Sequence, residues 1–94
     1  MHYKKRSQSL QVTLQDDFNL HTVYKIRGLI RDREELKVDL SQSRFVDSEA
    51  VIYLQSLLQE GKKIRLKNPP RLFFEVLQIL GLHTVWDLES IVEP

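Results

Sequence analysis

The stretch Glu35 to Leu66, ELKVDLSQSRFVDSEAVIYLQSLLQEGKKIRL, changes its hydrophobic period twice and so decides the fold. In ELKVDL, Leu36, Val38 and Leu40 alternate with Lys37 and Asp39, the two-residue period of a half-buried strand. From Asp47 to Glu60 the apolar residues Ala50, Val51, Leu54, Leu57 and Leu58 recur on one helical face. Asp47 or Ser48 stands where a cap would start that helix, and Gly61 stands where it would end. Lys63 to Leu66, KIRL, then returns to alternation. A strand, a helix and a strand in that order predict a right-handed crossover between parallel strands.

The same pattern extends in both directions. Upstream, SLQVTL from Ser9 places Leu10, Val12 and Leu14 on one side of a strand. Asp16, Asp17 and Asn19 offer turn and capping oxygens before a helix over Leu20 to Arg31, with Val23, Ile26 and Ile30 on one face. Gly28 inside it weakens helix propensity and predicts either close approach of a neighbour or a loose last turn. Downstream, Asn68-Pro69-Pro70 breaks the strand and opens a helix over Arg71 to Leu80. Its inner face reads as Leu72, Phe73, Val76 and Leu80, with Phe74 opposite, either under the C-terminal segment around Trp86 or against a partner. Val85, Trp86, Leu88, Ile91 and Val92 fit a short helix or an edge strand. Met1 to Gln8, MHYKKRSQ, carries no apolar periodicity and reads as a flexible basic tail, with residues 9–94 as one domain. The fold class is therefore α/β: one small domain with a mostly parallel sheet of about four strands, packed with three to four helices.

Composition narrows the function. Fourteen Lys and Arg against thirteen Asp and Glu leave a net charge of +1, and 41% hydrophobic with 29% charged residues is the balance of an ordinary globule. That argues against disordered, fibrous and nucleic-acid-binding classes. A chain of this size buries about 65% of its extended surface on folding, enough for one modest core. No apolar run approaches the roughly 20 residues that span a bilayer, and no apolar signal segment follows the basic start, so a cytoplasmic location without direct membrane insertion is expected.

With no cysteine, disulfides, zinc–thiolate sites and thiol nucleophiles are excluded. His2, His21 and His83 lack ligand spacing, and neither a Gly-x-Ser-x-Gly elbow nor a phosphate-binding glycine loop occurs. Ser48 with Asp47 and one histidine is the one candidate set for nucleophilic catalysis, so an enzyme is not expected, and no cofactor or metal is. Lys63, Arg65 and Lys67 share one side of their strand and read as a solvated edge or surface.

The residues DLSQSRFVDSEAVIYL from Asp39, GKKIRLKNPP from Gly61 and VLQILGL from Val76 resemble the STAS domain family, the fold of bacterial anti-sigma factor antagonists. The correspondence runs through Asp39-Leu40-Ser41, the apolar pair Phe45-Val46, Asp47-Ser48 opening a helix, Asn68-Pro69 and Leu77 to Leu82, and covers about Ser9 to Leu88. Glu49 and Ala50 depart from it, standing where the family has a small residue and a glycine. The resemblance implies a non-catalytic protein-binding module in which Ser48 is the phosphate acceptor of a partner kinase. Unphosphorylated, such a domain captures an anti-sigma factor kinase and frees a sigma factor; phosphorylation expels the partner. The resemblance also allows a constitutive subunit bound to a transporter ATPase of a lipid-trafficking ABC system, a role that needs no phosphorylation and that Glu49 and Ala50 favour.

A helix N-terminus suits a phosphate, because its unpaired N–H groups and the positive end of its dipole face the added charge. Serine is equally a good cap. On a helical wheel Ile52 points away from the core face, one turn beyond Ser48. The expected partner surface is Asp47, Ser48 and Ile52, with Arg44, Glu49 and Gln55 as its polar rim.

Overall fold

A computed structural model describes residues 1–93. Five strands form one sheet in the order β1 (His2–Lys5), β2 (Ser9–Thr13), β3 (Glu35–Asp39), β4 (Lys63–Lys67), β5 (Val92–Glu93). Only β1 runs antiparallel to its neighbour; the other pairings are parallel. The helices are α1 (Leu20–Ile30), α2 (Ser48–Gln59), α3 (Arg71–Ile79) and α4 (Leu88–Ile91). The expected α/β class with a mostly parallel sheet is what the chain adopts.

Register turns the alternation into a layer. Leu10, Leu36 and Ile64 pair across the sheet, as do Val12, Val38 and Leu66, and all six are buried. The alternate rows, Gln11–Lys37–Arg65 and Thr13–Asp39–Lys67, occupy the opposite face. Each crossover steps the same way across the sheet, and right-handed crossovers of one direction stack their helices on one face. The core lies between that helix layer and the apolar rows, with Phe18 and Phe73 as its largest fully buried side chains. Lys63, Arg65 and Lys67 therefore decorate the open face of an interior strand rather than an edge.

The helix ends follow local chemistry. Asn19 caps α1, its side-chain oxygen accepting from the Thr22 N–H at 3.2 Å. Gly61, at φ 87°, lets the chain turn back after α2, with the Lys62 N–H donating to the Leu57 carbonyl at 3.0 Å. Gly81, at φ 72°, repeats the motif after α3 through Leu82 N–H and Leu77 O at 2.9 Å.

Three expectations are corrected. His2–Lys5 is not a flexible tail but the edge strand β1, joined to β2 by a turn in which the Arg6 N–H donates to Ser9 O at 2.9 Å. An edge strand is held by its main chain, so all four side chains stay exposed and no hydrophobic period betrays it; lysines are typical of such edges. In α3 the fully buried residues are Phe73 and Leu77, while Leu72, Val76 and Leu80 are half-buried. The apolar arc of that helix is wider than the sector it buries, which hides the true centre. Tyr53 joins the buried face of α2, and Leu58 is only half-buried.

The C-terminal segment resolves as both alternatives in succession, α4 and then β5 beside β4. Gly28 meets no close neighbour: a Cβ built there contacts nothing within 4 Å. Gly28→Ala is accordingly expected to raise stability by about 1 kcal/mol, since alanine fits the exposed helical position and restricts the unfolded chain. A chemical-denaturation midpoint that does not rise would show that the glycine serves something other than the fold.

Candidate functional site

The loop between β3 and α2 is fixed residue by residue before it delivers Ser48. Asp39 closes its first turn, its Oδ1 accepting from the Ser41 hydroxyl at 2.7 Å and the Ser41 N–H at 2.9 Å. Those two hydrogen bonds, from the hydroxyl first, hold the Asp39 carboxyl below its ordinary range. Ser43, buried, donates to the Asp16 carbonyl at 2.6 Å. Val46 bridges Phe18 in parallel fashion: the Phe18 N–H donates to Phe45 O at 3.0 Å and the Asp47 N–H to Phe18 O at 2.9 Å. The Phe45 N–H adds a bond to Asp17 Oδ1 at 3.2 Å. Thus the loop that precedes α1 clamps the loop that precedes α2, with the core residue Phe18 as the peg.

Ser48 emerges as the first residue of α2, exposed, with Asp47 at the N-cap position. The Asp47 side chain makes no capping hydrogen bond. The Asp47 carbonyl accepts from the Ala50 N–H at 3.0 Å, which leaves the Ser48 and Glu49 N–H groups, the first of the helix, without a partner within it. Ala50 is fully buried, its methyl turned into the core. It therefore takes no room on the approach to Ser48, and Glu49, exposed in the first turn, is the departure that changes the surface.

Two large apolar side chains flank the serine on the solvent side: Phe45 at 59% exposure, three residues before it, and Ile52 at 47%, four after. Ile52 is where the helical wheel puts it. Phe45 and Val46 form an apolar pair in the sequence, yet neighbouring residues in extended backbone face opposite ways, so Val46 goes in and Phe45 out. That alternation is the signal in the sequence that could have found Phe45.

Arg44, Asp47 and Glu49 are exposed around the same turn. Gln55 continues the Ser48–Ile52 face but is drawn away, its Oε1 accepting from the Trp86 indole N–H at 2.5 Å. It is a strut for the C-terminal segment as much as a rim residue. Phe74 is not covered by Trp86: it lies partly exposed against the edge of Phe73, centroids 5.2 Å apart, and Phe73 meets Trp86 at 6.0 Å.

Beside α2, Arg27 of α1 lies over the Tyr53 ring at 5.2 Å and the Tyr24 ring at 5.9 Å. Burial pushes the Tyr53 hydroxyl above its ordinary pKa, against the opposing pull of Arg27, and the hydroxyl has no hydrogen-bond partner. It is neutral at physiological pH. No helix among the described residues is long and apolar enough to cross a membrane.

A family model described as "Mlab, STAS domain" matches residues 1–93. A solved structure, "Structure of the Anti-Sigma Factor Antagonist SpoIIAA in its Unphosphorylated Form", superposes with a TM-score of 0.65 at 19% sequence identity, covering 88% of this chain and 82% of that one. No curated protein matches.

Proposed function

Because the chain belongs to the STAS domain family, we propose that it is a non-catalytic, protein-binding regulatory module of the anti-sigma factor antagonist type, docking through the start of α2. The observation that carries this reading is the exposed Ser48 at the first position of α2, set between exposed Phe45 and Ile52 on a loop rigidly tied to Phe18. Interfaces concentrate their energy in a few desolvated apolar anchors within a polar rim, and this surface has both. Unmodified, the patch captures an anti-sigma factor kinase. A phosphate on Ser48 adds about −1.5 to −2 charge in the middle of the patch. The helix N-terminus tolerates that charge, so the fold survives. A partner surface packed on Phe45 and Ile52 does not, because it must desolvate the phosphate.

Glu49 favours a second reading, since it already places a carboxylate beside Ser48 and a third negative group in that turn with Asp47 works against phosphorylation. In that case the same patch is a fixed interface on a transporter ATPase. Ser48→Asp and Ser48→Ala distinguish the two by calorimetric titration against the cognate partner. Under the switch, Ser48→Asp weakens binding at least about tenfold, as much as removing one charge-assisted hydrogen bond, and Ser48→Ala retains it. Equal affinity of the two variants would establish the constitutive interface instead.

A further inference from the structure

We propose that the edge of the sheet opposite Ser48 is a docking surface for anionic lipid headgroups, which would hold the domain on a membrane surface with the start of α2 facing away. At the N-terminal ends of the parallel strands, hydrogen bonds bring three chain segments together. The Arg33 guanidinium donates to the Arg6 carbonyl at 2.9 Å, the Lys62 ammonium to Arg33 O at 2.6 Å and Arg31 O at 3.4 Å, and the Lys63 N–H to Glu34 O at 2.8 Å. Arg33 also caps the end of α1 through Leu29 O at 3.1 Å. Arg33 and Lys62 are thus used by the fold, neutralising carbonyls at helix ends.

Lys5, Arg6, Arg31 and Lys63 are not so used. All four are exposed, and none forms an ion pair among the described residues. Six cations gather at this edge against four carboxylates, Asp32, Glu34, Glu60 and, in the groove lined by Lys62 and Lys63, Asp87, while Glu35 is turned toward Lys37 and Arg65. Across the sheet from β1 to β4, three strand spacings spread the charges over about 14 Å.

Apolar side chains at the same edge favour a lipid surface over a nucleic acid. Val85, 64% exposed, lines one groove with Lys62 and Lys63. Ile79, 83% exposed, ends α3, which runs back from the far edge of the sheet toward this one. Cations at headgroup level with short aliphatic side chains beside them match the boundary of an anionic leaflet. The α2 helix begins at the other end of the strands, roughly 18 Å away, so both surfaces can be occupied at once.

Vesicle co-sedimentation of the full chain tests this, using phosphatidylcholine with about 30% phosphatidylglycerol, pure phosphatidylcholine as the neutral surface, and a DNA duplex as the competing polyanion. The wild-type chain is expected to sediment with the anionic vesicles at about 0.05 M salt and to be released at about 0.5 M. The triple variant Lys5→Gln, Arg6→Gln, Lys63→Gln should lose about fivefold per charge, on the order of a hundredfold in all. Lys25→Gln, Lys67→Gln, Arg71→Gln lowers the net charge equally toward the opposite edge, at exposed residues outside the α2 surface, and should stay close to wild type. Equal loss by both triples, binding that persists at high salt or on neutral vesicles, or tighter binding to the duplex than to the vesicles would overturn the proposal. The salt and lipid arms use the wild-type chain and do not depend on the variants folding.

Discussion

Phe73→Ala is expected to remove about 3–5 kcal/mol of stability, the range for emptying a fully buried aromatic site. A domain of this size has only about 5–15 kcal/mol in total, so the loss is a large share of it. Phe73 is fully buried and joins two parts of the molecule, packing on Phe74 from α3 and on Trp86 from the C-terminal segment. Trp86 in turn donates to Gln55 of α2. Without the Phe73 ring one side of the indole faces a void, which leaves the segment to be held by the Gln55 bond, by buried Ile91 and by the two-residue pairing of β5 with β4. Two readouts should move together: the urea midpoint falls, and the native-state emission of Trp86, the single tryptophan, shifts to the red as water reaches it. A loss below about 1 kcal/mol with unshifted emission would mean that the core closes over the gap and that α3 does not support the C-terminal segment.

What can be read in the sequence, and what cannot, divides along physical lines. Leu10, Val12, Leu36, Val38, Ile64 and Leu66 announce β2, β3 and β4 because each strand buries one face only, and burial of one face is what makes a period visible. β1 escapes notice for the converse reason: its stability comes from main-chain pairing at an exposed edge, which leaves no mark on side-chain polarity. The family resemblance and the capping pattern together put Ser48 at the head of α2, and helical geometry puts Ile52 on its outer side. Phe45 and Gln55 depend instead on tertiary structure: the Phe18–Val46 bridge turns one residue of an apolar pair outward, and Trp86, 31 residues away in sequence, takes the Gln55 amide. The fold is legible where local period and burial coincide, and the surface is legible only where a single helix defines it.

Ile52→Asp is expected to abolish partner capture while leaving the melting temperature nearly unchanged. Ile52 is 47% exposed and lies on the side of α2 away from Ala50, Leu54 and Leu57, so the fold loses little when its side chain goes. At an interface the consequence is different in kind. An apolar anchor that docks in a desolvated pocket is typically worth about 2 kcal/mol or more, roughly thirtyfold in affinity, and a carboxylate forced into that pocket adds its own desolvation cost. The matched control is Ile79→Asp on α3, where a still more exposed isoleucine lies outside the α2 surface and should leave capture intact. Both variants can be compared with wild type as immobilised bait against the cognate partner, alongside thermal melts. Retention of the partner by Ile52→Asp, or its loss by Ile79→Asp as well, would move the interface away from α2. A fall of many degrees in the Ile52→Asp melt would show that the residue is packed rather than presented. The outcome does not depend on whether Ser48 carries a phosphate, so it tests the docking surface separately from the switch built on it.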